Sequence, residues 1–246
     1  MRFGKWGRGC VSWPGWAALA LLSMAPLPAT TIFSTGFEPP AYTTGQVSGQ
    51  DGWSGSTTPV VENTTVFAGS QAVAENTTGV SSQVVVDQPL SYNATGQTLV
   101  ESVEFMEGSG TQPGWLALEA FDSGGLIANV QVNGGNATLG LASSTAGSVP
   151  IDNGQWYDFQ LVLNYGTQTV SAYVNATLVG SGAFASPGTN LVSVDFGSLP
   201  TGGNNATGYW DNLSVATASV PEPSAFFLCL GALPGLALLS RKRRAA

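Results

Sequence analysis

One segment constrains the fold more than any other: residues 156–165, WYDFQLVLNY. Polar and apolar side chains alternate along it from Tyr157 to Leu163, which is the period-2 pattern of a β-strand with one buried face and one wet face. From Thr31 to Val215 no sustained 3.6-residue apolar period occurs, and short runs rich in Val, Thr and aromatics recur between Gly, Asn and Ser clusters. This pattern is typical of an all-β protein.

The same pattern predicts about a dozen short antiparallel strands, which pack most simply as two sheets face to face. The predicted intervals are 30–37, 58–62, 71–75, 81–87, 98–106, 114–121, 126–132, 137–142, 156–165, 169–174, 191–196 and 209–215. The inward-facing side chains predicted in the later strands are Val170, Ala172, Val174, Val192, Val194 and Phe196.

Charge is distributed unevenly along the chain. All seven Lys and Arg residues lie within the first eight or the last six positions, whereas fourteen of the fifteen carboxylates lie between Glu38 and Asp211, and there is no His. The intervening segment therefore has no cation, forms no internal salt bridge and repels phosphate backbones. We expect no nucleic-acid partner.

The same composition excludes several kinds of chemistry. The two cysteines, Cys10 and Cys229, lie in the terminal segments, so residues 30–218 contain no Cys, Lys or His. This excludes Ser-His-Asp and Cys-His catalysis, Schiff-base chemistry and zinc sites with nitrogen or sulfur ligands. Only carboxylate chemistry and oxygen-ligated metals remain for this segment.

The N-terminus has the three parts of an export signal. Three basic residues among the first eight precede an apolar core at residues 16–24, and small residues follow up to Ala29. We expect residues 1–29 to be a helical signal peptide, cleaved near Ala29. The folded domain then comprises residues 30–218, enough for one β-sandwich.

The C-terminus, residues 219–246, also has three parts. An extended Pro-Glu-Pro segment comes first, and the uncharged stretch 225–240 would span roughly 24 Å as a helix against a hydrocarbon core of roughly 30 Å. A basic cluster that stays on the cytoplasmic side ends the chain. An ordinary single-span anchor is the alternative interpretation. The sorting residues are Val220, Pro221, Glu222, Pro223, Arg241, Lys242, Arg243 and Arg244.

This order of segments resembles the PEP-CTERM sorting signal, which exosortases of exopolysaccharide-producing Gram-negative bacteria process. The resemblance implies an exosortase as partner and transient insertion of the C-terminal segment into the inner membrane. It further implies cleavage and delivery to the cell surface or the extracellular matrix. It says nothing about chemistry.

A second resemblance covers nearly all of residues 30–218. The tetrapeptide GQWY at 154–157, the alternating strand after it and VSAYVNATLV at 170–179 resemble paired strands of concanavalin A-like, laminin-G-like jelly rolls. The resemblance implies an all-β, two-sheet antiparallel jelly-roll sandwich. The segments similar to first and last strands of that group, and of calcium-containing carbohydrate-binding jelly rolls, are Phe37-Glu38, Asp51-Gly52-Trp53 and Tyr209-Trp210-Asp211-Asn212-Leu213.

One departure from that group lies in the second hairpin. Asn175-Ala176 stands where members often have Asn-Gly. Because Ala is strained at positive φ and Gly is not, this pair disfavours a type I′ turn.

The carboxylates Glu101, Glu104 and Glu107 are the best enzymatic candidate, because glycosidases that this fold resembles place acids on one strand facing a sugar groove. Side chains alternate along a strand, so Glu101 and Glu107 share one face and Glu104 lies on the other. No second acid completes a pair at the even spacing of that group. We interpret the three as a solvated strand face and predict that the protein is not an enzyme.

Glu38 and Asp211 are candidate ligands of a structural calcium ion. First and last strands of such sandwiches are commonly neighbours, which would bring the two acids together, and calcium takes about six to eight oxygen ligands. With no cation to neutralise a close pair, an ion is the available partner. The alternative is that Asp211 caps a turn and Glu38 is solvated.

Trp53, Trp115 and Trp210 are candidates for stacking on sugar rings, with core filling as the alternative. Trp53 lies in a Gly-rich polar loop and is the preferred surface residue.

Seven sequons make glycosylation a further hypothesis, with compositional drift as the alternative. Their asparagines are Asn63, Asn76, Asn93, Asn136, Asn175, Asn205 and Asn212.

Together these features favour a non-catalytic exported protein that is associated with exopolysaccharide and binds carbohydrate. Two alternatives remain open at this point. One is a weak glycoside hydrolase on a jelly-roll frame, and the other is a purely structural matrix or coat component without a ligand.

Overall fold

The computed structural model describes residues 29–80, 82–108, 114–141, 144–200 and 207–218. Within these ranges the chain forms sixteen β-strands and no α-helix. No helix in the described ranges is long and apolar enough to cross a membrane. The predicted signal peptide and sorting segment, together with Asn205, lie outside the described residues.

The strands follow one another in short steps, because Gly, Asn and Ser turns interrupt each apolar run. They are β1 Thr31–Thr35, β2 Gly45–Gln46, β3 Ser54–Gly55, β4 Val60–Glu62, β5 Ala72–Asn76, β6 Val84–Asn93, β7 Thr98–Glu107, β8 Gly114–Asp122, β9 Gly125–Val132, β10 Asn136–Leu141, β11 Ser144–Pro150, β12 Trp156–Asn164, β13 Thr169–Val174, β14 Thr177–Ala183, β15 Asn190–Pro200 and β16 Thr207–Thr217.

These strands form two antiparallel sheets. The nine-stranded sheet has the order β14-β13-β12-β7-β16-β5-β4-β2, with β1 also paired to β16. The seven-stranded sheet has the order β11-β10-β9-β8-β15-β6-β3. The prediction of an all-β, two-sheet antiparallel sandwich is therefore confirmed.

Aromatic stacking joins the two sheets at the centre of the core. Phe196 of the seven-stranded sheet stacks on Trp210 of the nine-stranded sheet, with ring centroids 4.8 Å apart. Trp53 also stacks on Phe196, at 5.2 Å, and Phe37 lies 5.9 Å from Trp53. All four side chains are buried. Stacked aromatic pairs of this kind contribute about 0.5–1.5 kcal/mol beyond their burial.

The preference for Trp53 as a surface residue is wrong. Its side chain is only 2% exposed, and its indole N–H donates a 2.9 Å hydrogen bond to the hydroxyl oxygen of Tyr42. The polar loop around it carries the ring into the core, where Phe37 and Phe196 enclose it. Trp53 has no free ring face for a sugar.

The alternating segment behaves as predicted, because Phe159, Leu161 and Leu163 are all fully buried. The prediction that Val192 points inward is wrong. A register shift between Leu191 and Ser193 buries Leu191 and leaves Val192 half-exposed. A β-bulge of this type inverts the facing pattern locally, which alternation alone does not show.

Strand β11 was not predicted, because its small residues carry no apolar alternation.

The hairpin between β13 and β14 differs from expectation as well. Asn175 and Ala176 have φ values of 46° and 62°, and Val174 pairs directly with Thr177. The two-residue loop therefore has the positive φ pair that a type I′ turn requires, although Ala is strained there. The twist of the flanking strands imposes the turn on the sequence.

Candidate functional site

A row of polar side chains crosses the outer face of the seven-stranded sheet. The strand register places Asp87 beside Asp195, Asp195 beside Glu119 and Glu119 beside Asn129. Their neighbours along each strand, such as Phe196, point into the core, so these four point away from the other sheet. We call these four residues the polar row.

Two glycines make room for the polar row. A Cβ at Gly140, the partner of Asn129 on β10, would collide with the Asn129 carboxamide. A Cβ at Gly197 would lie 2.6 Å from Glu119 Oε2. The lack of a side chain at Gly140 and Gly197 therefore leaves the space that the polar row occupies.

The row has more acceptors than donors. The Asn129 amide donates a 3.1 Å hydrogen bond to Glu119 Oε1. Glu119 Oε2, Asn129 Oδ1 and Asp195 Oδ1 are buried acceptor atoms without a hydrogen-bond partner among the described residues. The exposed fractions are 3% for Glu119 and 6% each for Asn129 and Asp195. Buried acceptors of this kind favour a ligand that brings hydrogen-bond donors.

The acids of the row ionise less readily than free carboxyl groups. Burial raises the pKa of Asp195 to about 7, the hydroxyl of Ser193 opposes this, and the neighbouring charges of Asp87 and Glu119 raise the pKa further. Burial also raises the pKa of Glu119, against the hydrogen bond from Asn129. With no cation in this part of the chain, protonation is how the row relieves repulsion.

Aromatic side chains flank the polar row. Trp115 is half-buried on the same face of β8, and its ring lies 3.7 Å from where a Cβ of Gly197 would be. Phe121 is half-buried two residues beyond Glu119 on the same face. Of the three candidate Trp residues, Trp115 alone keeps partial exposure, because Trp53 and Trp210 lie in the core. A ring beside acceptor groups is a typical arrangement for binding a polar ligand with an apolar face.

The pairing of β1 with β16 brings the predicted metal ligands close together: Glu38 lies three residues beyond the end of β1, and Asp211 lies within β16. Asp211 is fully buried. Its Oδ2 accepts hydrogen bonds from the backbone N–H groups of Phe67 at 3.1 Å and Ala68 at 3.0 Å, and its Oδ1 accepts one from Asn212 at 2.8 Å.

Glu38 binds the same loop a few residues further on. Its Oε1 accepts the N–H groups of Ser70 at 2.8 Å and Gln71 at 3.1 Å, and its Oε2 accepts the Ser70 hydroxyl. At the start of the loop, Glu62 accepts the N–H groups of Thr64 at 2.8 Å and Thr65 at 2.7 Å. Three carboxylates thus each hold a pair of backbone amides of residues 63–71, which we call the anchored loop.

The pKa values of the two predicted ligands shift in opposite directions, although hydrogen bonds lower both. The Ser70 hydroxyl, followed by the amides of Ser70 and Gln71, lowers the pKa of Glu38 despite some burial. Burial raises the pKa of Asp211; the loop amides oppose it and the charge of Glu38 adds to it. Backbone amides, which the sequence did not indicate, therefore partly compensate the charge of this acidic pair.

The residues around Asp211 offer limited ligands for calcium. No group of three or more Asp, Glu, His or Cys side chains is placed to share a metal within the described ranges. A Cβ at Gly36 would lie 3.2 Å from Asn212 Oδ1 and 4.0 Å from Asp211 Oδ1, and Gly36 and Asn212 line a depression of about 360 Å³. Its lining residues are Ser34, Thr35, Gly36, Asn212, Leu213 and Ser214.

The acids of β7 divide between the two faces of the nine-stranded sheet as the alternation predicts. Glu101 and Glu107 are buried on the inner face, and Glu104 is half-buried on the outer face. The interpretation of all three as a solvated face is therefore wrong. Burial, with the charges of Asp195 and Glu119 adding to it, raises the pKa of Glu101 well above its ordinary value.

Spacing within one strand was the basis for the prediction about acid pairs, and the structure shows a pair formed between two strands. Asp195 and Glu119 lie directly opposite one another on neighbouring strands. Sequence spacing within one strand cannot show a pair that forms between strands 76 residues apart in sequence.

Six of the seven sequon asparagines are exposed, so a glycan would be sterically tolerated at each of them. They are Asn63, Asn76, Asn93, Asn136, Asn175 and Asn212.

No protein-family model and no curated protein matches this chain. Among solved structures, a sialidase matches with a TM-score of 0.54 and 15% identity over 69% of this chain. The cellulose-induced protein Cip1 matches with 0.51 and 15% identity over 76% of this chain and 97% of its own. The binding domain of Paraclostridial Mosquitocidal Protein 1 matches with 0.52 and 12% identity over 78% of this chain.

These similarities are similarities of fold. The match spans 17% of the sialidase chain and 50% of the mosquitocidal-protein chain. At identities of this size the shared jelly-roll sandwich is what they establish.

Proposed function

We propose that this protein is an exported, non-catalytic carbohydrate-binding protein, and that its binding surface is the polar row with Trp115. The observation that carries the proposal is the set of buried acceptors without donors on Glu119, Asn129 and Asp195, next to a half-exposed indole. A sugar supplies hydroxyl donors for the acceptors and an apolar ring face for the indole.

The charge of the chain narrows the class of carbohydrate. Fourteen carboxylates without a cation repel uronate and sialate polymers, which favours neutral glycans. Two neighbours in the fold comparison, a sialidase and a cellulose-induced protein, carry names that refer to carbohydrates in general.

We further propose the route by which the protein reaches its ligand. The export signal at residues 1–29 and the PEP-CTERM-like segment at 219–246 make an exosortase the processing partner, with exopolysaccharide as the final environment. Intact-mass analysis of native protein tests this. We expect both ends to be absent, and retention of Arg241–Arg244 in a strain with an exosortase would contradict it. Calcium at Glu38 and Asp211 is a separate structural proposal.

Affinity electrophoresis of the purified full-length protein tests binding at the polar row. Gels containing hydroxyethylcellulose, barley β-glucan or alginate should show retardation by at least one neutral polymer and none by alginate. Trp115→Ala and Glu119→Gln should each weaken retardation, by about tenfold for the aromatic. Asp152→Asn is the matched control, because it removes one exposed carboxylate in a loop and should change nothing. Unaltered retardation of both site variants would contradict the proposal.

One observation favours a second candidate, a glycoside hydrolase. Asp195 and Glu119 are direct cross-strand neighbours, and retaining glycosidases use a pair of closely spaced carboxyl groups. Asp195, whose pKa is raised to about 7, is suited to act as a general acid. Release of reducing sugar that both Asp195→Asn and Glu119→Gln abolish would support this candidate. Binding of glycan without release of sugar supports the non-catalytic protein. Absence of both binding and release supports a purely structural matrix component.

A further inference from the structure

A second row of side chains crosses the opposite outer face of the molecule, on the nine-stranded sheet. The register aligns Trp156, Met106, Tyr209, Ala74 and Val60 on five neighbouring strands. The residues beside them along each strand point into the core. This outer face therefore carries a continuous apolar row, with Trp156 and Tyr209 both half-exposed.

Phe67 of the anchored loop completes this row. Its side chain is 45% exposed, one of two large hydrophobic side chains exposed to this degree among the described residues. The ring packs edge-on against Trp156, with centroids 5.6 Å apart and planes at 60°. Asp211 accepts the backbone N–H of Phe67 and Trp156 packs against its ring, so backbone and ring are both positioned before any ligand arrives. A pre-ordered ring lowers the entropic cost of binding.

Acceptors run parallel to the aromatic row. Asp158, Glu104 and Asp211 pair across three strands on the same face. Each of these acids lies two residues along its own strand from a member of the apolar row, a separation of about 7 Å. Asp158 and Glu104 are half-buried, so their remaining lone pairs face a ligand on the surface. Gln160 orients Asp158 by donating a 2.6 Å hydrogen bond to its Oδ2.

The chemistry of this surface fits a neutral sugar better than other occupants. A stable protein interface buries about 800 Å² per partner around an apolar centre, whereas this surface has one highly exposed ring bordered by acids. Nucleic acids and uronate polymers are repelled, since no cation lies between Arg8 and Arg241. A neutral pyranose chain stacks on the rings and directs its hydroxyls to the acids.

We propose that Phe67, Trp156 and Tyr209 form a second glycan-binding platform, for neutral pyranose chains, on the face opposite the polar row. The role of the platform as one of two glycan sites rests on the proposed function. The evidence for the platform itself comes from its own residues and not from the polar row. With a site on each outer face, one domain engages two polysaccharide segments and cross-links them. Two such sites in one rigid domain raise apparent avidity without any new contact.

Binding and cross-linking assays on the full-length protein test the platform. The variants are Phe67→Ala, Trp156→Ala and Trp115→Ala, and the probes are hydroxyethylcellulose and barley β-glucan, with alginate as the anionic control. Phe67→Ala is the primary variant, because an exposed side chain is removed without loss of core packing. We expect about a tenfold loss of affinity from either platform variant, rescue by Phe67→Trp and a halved binding stoichiometry. Polymer cross-linking, read as turbidity or viscosity, should require both Phe67 and Trp115.

The outcomes separate this proposal from the function that it extends. If Phe67→Ala and Trp156→Ala bind glucan as the wild type does while Trp115→Ala abolishes binding, the platform is overturned and the proposed site stands. If Phe67→Ala abolishes binding and Trp115→Ala does not, the platform holds and the polar row fails. A change in oligomeric state on size-exclusion chromatography with Phe67→Ala, without a change in glycan binding, would overturn the platform in favour of self-association.

Discussion

The backbone N–H of Phe67 donates a 3.1 Å hydrogen bond to Oδ2 of Asp211, a residue 144 positions later in the chain. This bond ties the anchored loop to the last strand. Asp211 is fully buried, and the Ala68 amide bonds the same oxygen. The carboxylate therefore acts as a structural acceptor that positions an exposed aromatic ring. Bonds between amides and ionised acceptors are stronger than neutral ones, so few other contacts are needed to order the loop.

Gly69→Ala should release the anchored loop. Gly69 has φ of +71°, and an added Cβ would collide with the Glu38 carboxylate, so the loop must break its hydrogen bonds to Glu38. Glycan affinity of the platform should fall about as far as with Phe67→Ala. Gly79→Ala is the matched control, because Gly79 has φ of +75° and no atom within 4 Å of an added Cβ. Equal effects of the two variants would show that backbone strain, rather than loss of the Glu38 contact, is responsible.

Stability should fall as the pH rises from 4.5 to above 7. Burial raises the pKa of Glu75 to about 7, and the nearby charge of Glu119 adds to it. The nearby Ser198 hydroxyl and Trp210 indole N–H lower the pKa of Glu75 in part, although neither group forms a hydrogen bond with its carboxyl group. Because the folded pKa lies above the unfolded one, the stabilisation is complete below pH 4.5 and is lost as the pH rises through 7.

The contribution of Glu75 alone indicates the size of this pH effect. A shift from 4.5 to about 7 corresponds to about 3 kcal/mol of unfolding free energy. The raised pKa values of Glu101 and Asp195 act in the same direction, and the lowered pKa of Glu38 acts against them. Urea midpoints measured at pH 5 and pH 8 test the prediction. Glu75→Gln should reduce the difference, and greater stability at pH 8 would contradict it.

Ala176→Gly should stabilise the domain. Ala176 has φ of 62° in a two-residue turn, where Gly is unstrained and Ala is not. The relief of strain exceeds the added entropy of the unfolded chain, and we expect a gain of up to about 1 kcal/mol. Thermal melts should show a small rise in Tm. Thr177→Gly, at the start of β14, serves as control and should lower Tm.

Calcium should raise the melting temperature if an ion binds at Glu38 and Asp211. An ion that binds only the folded state adds about 2.7 kcal/mol at a hundredfold excess over its dissociation constant, enough for a rise of several degrees. The measurement compares EDTA with millimolar calcium. Glu38→Gln combined with Asp211→Asn should remove the response. No response in the wild type would show that backbone amides alone compensate the two acids.

Most of the longer strands and their buried faces were accessible from the sequence. Burial of Phe159, Leu161 and Leu163 follows from local alternation, because the side-chain period of a strand is two wherever the strand lies. The absence of Lys, Arg, His and Cys from residues 30–218 is likewise a property of the sequence alone. The pairing of β1 with β16, which brings Glu38 near Asp211, was expected from the sandwich architecture.

The position of Trp53 could not be inferred in this way. A Gly-rich polar loop resembles exposed sequence, but this loop carries the indole into a pocket made by Phe37 and Phe196. The pocket exists only after residues from distant segments have packed together. Burial of a single side chain in a loop is a tertiary property.

The candidate sites show the same division between local and long-range information. The sequence by itself determined that the domain is an all-β sandwich rich in carboxylates and without cations. Only the tertiary structure decided that Glu119 faces Asp195, and that Phe67 is fastened by Asp211. Both relationships depend on which strands become neighbours and in what register, and these are set by packing of the whole core rather than by the residues around each site.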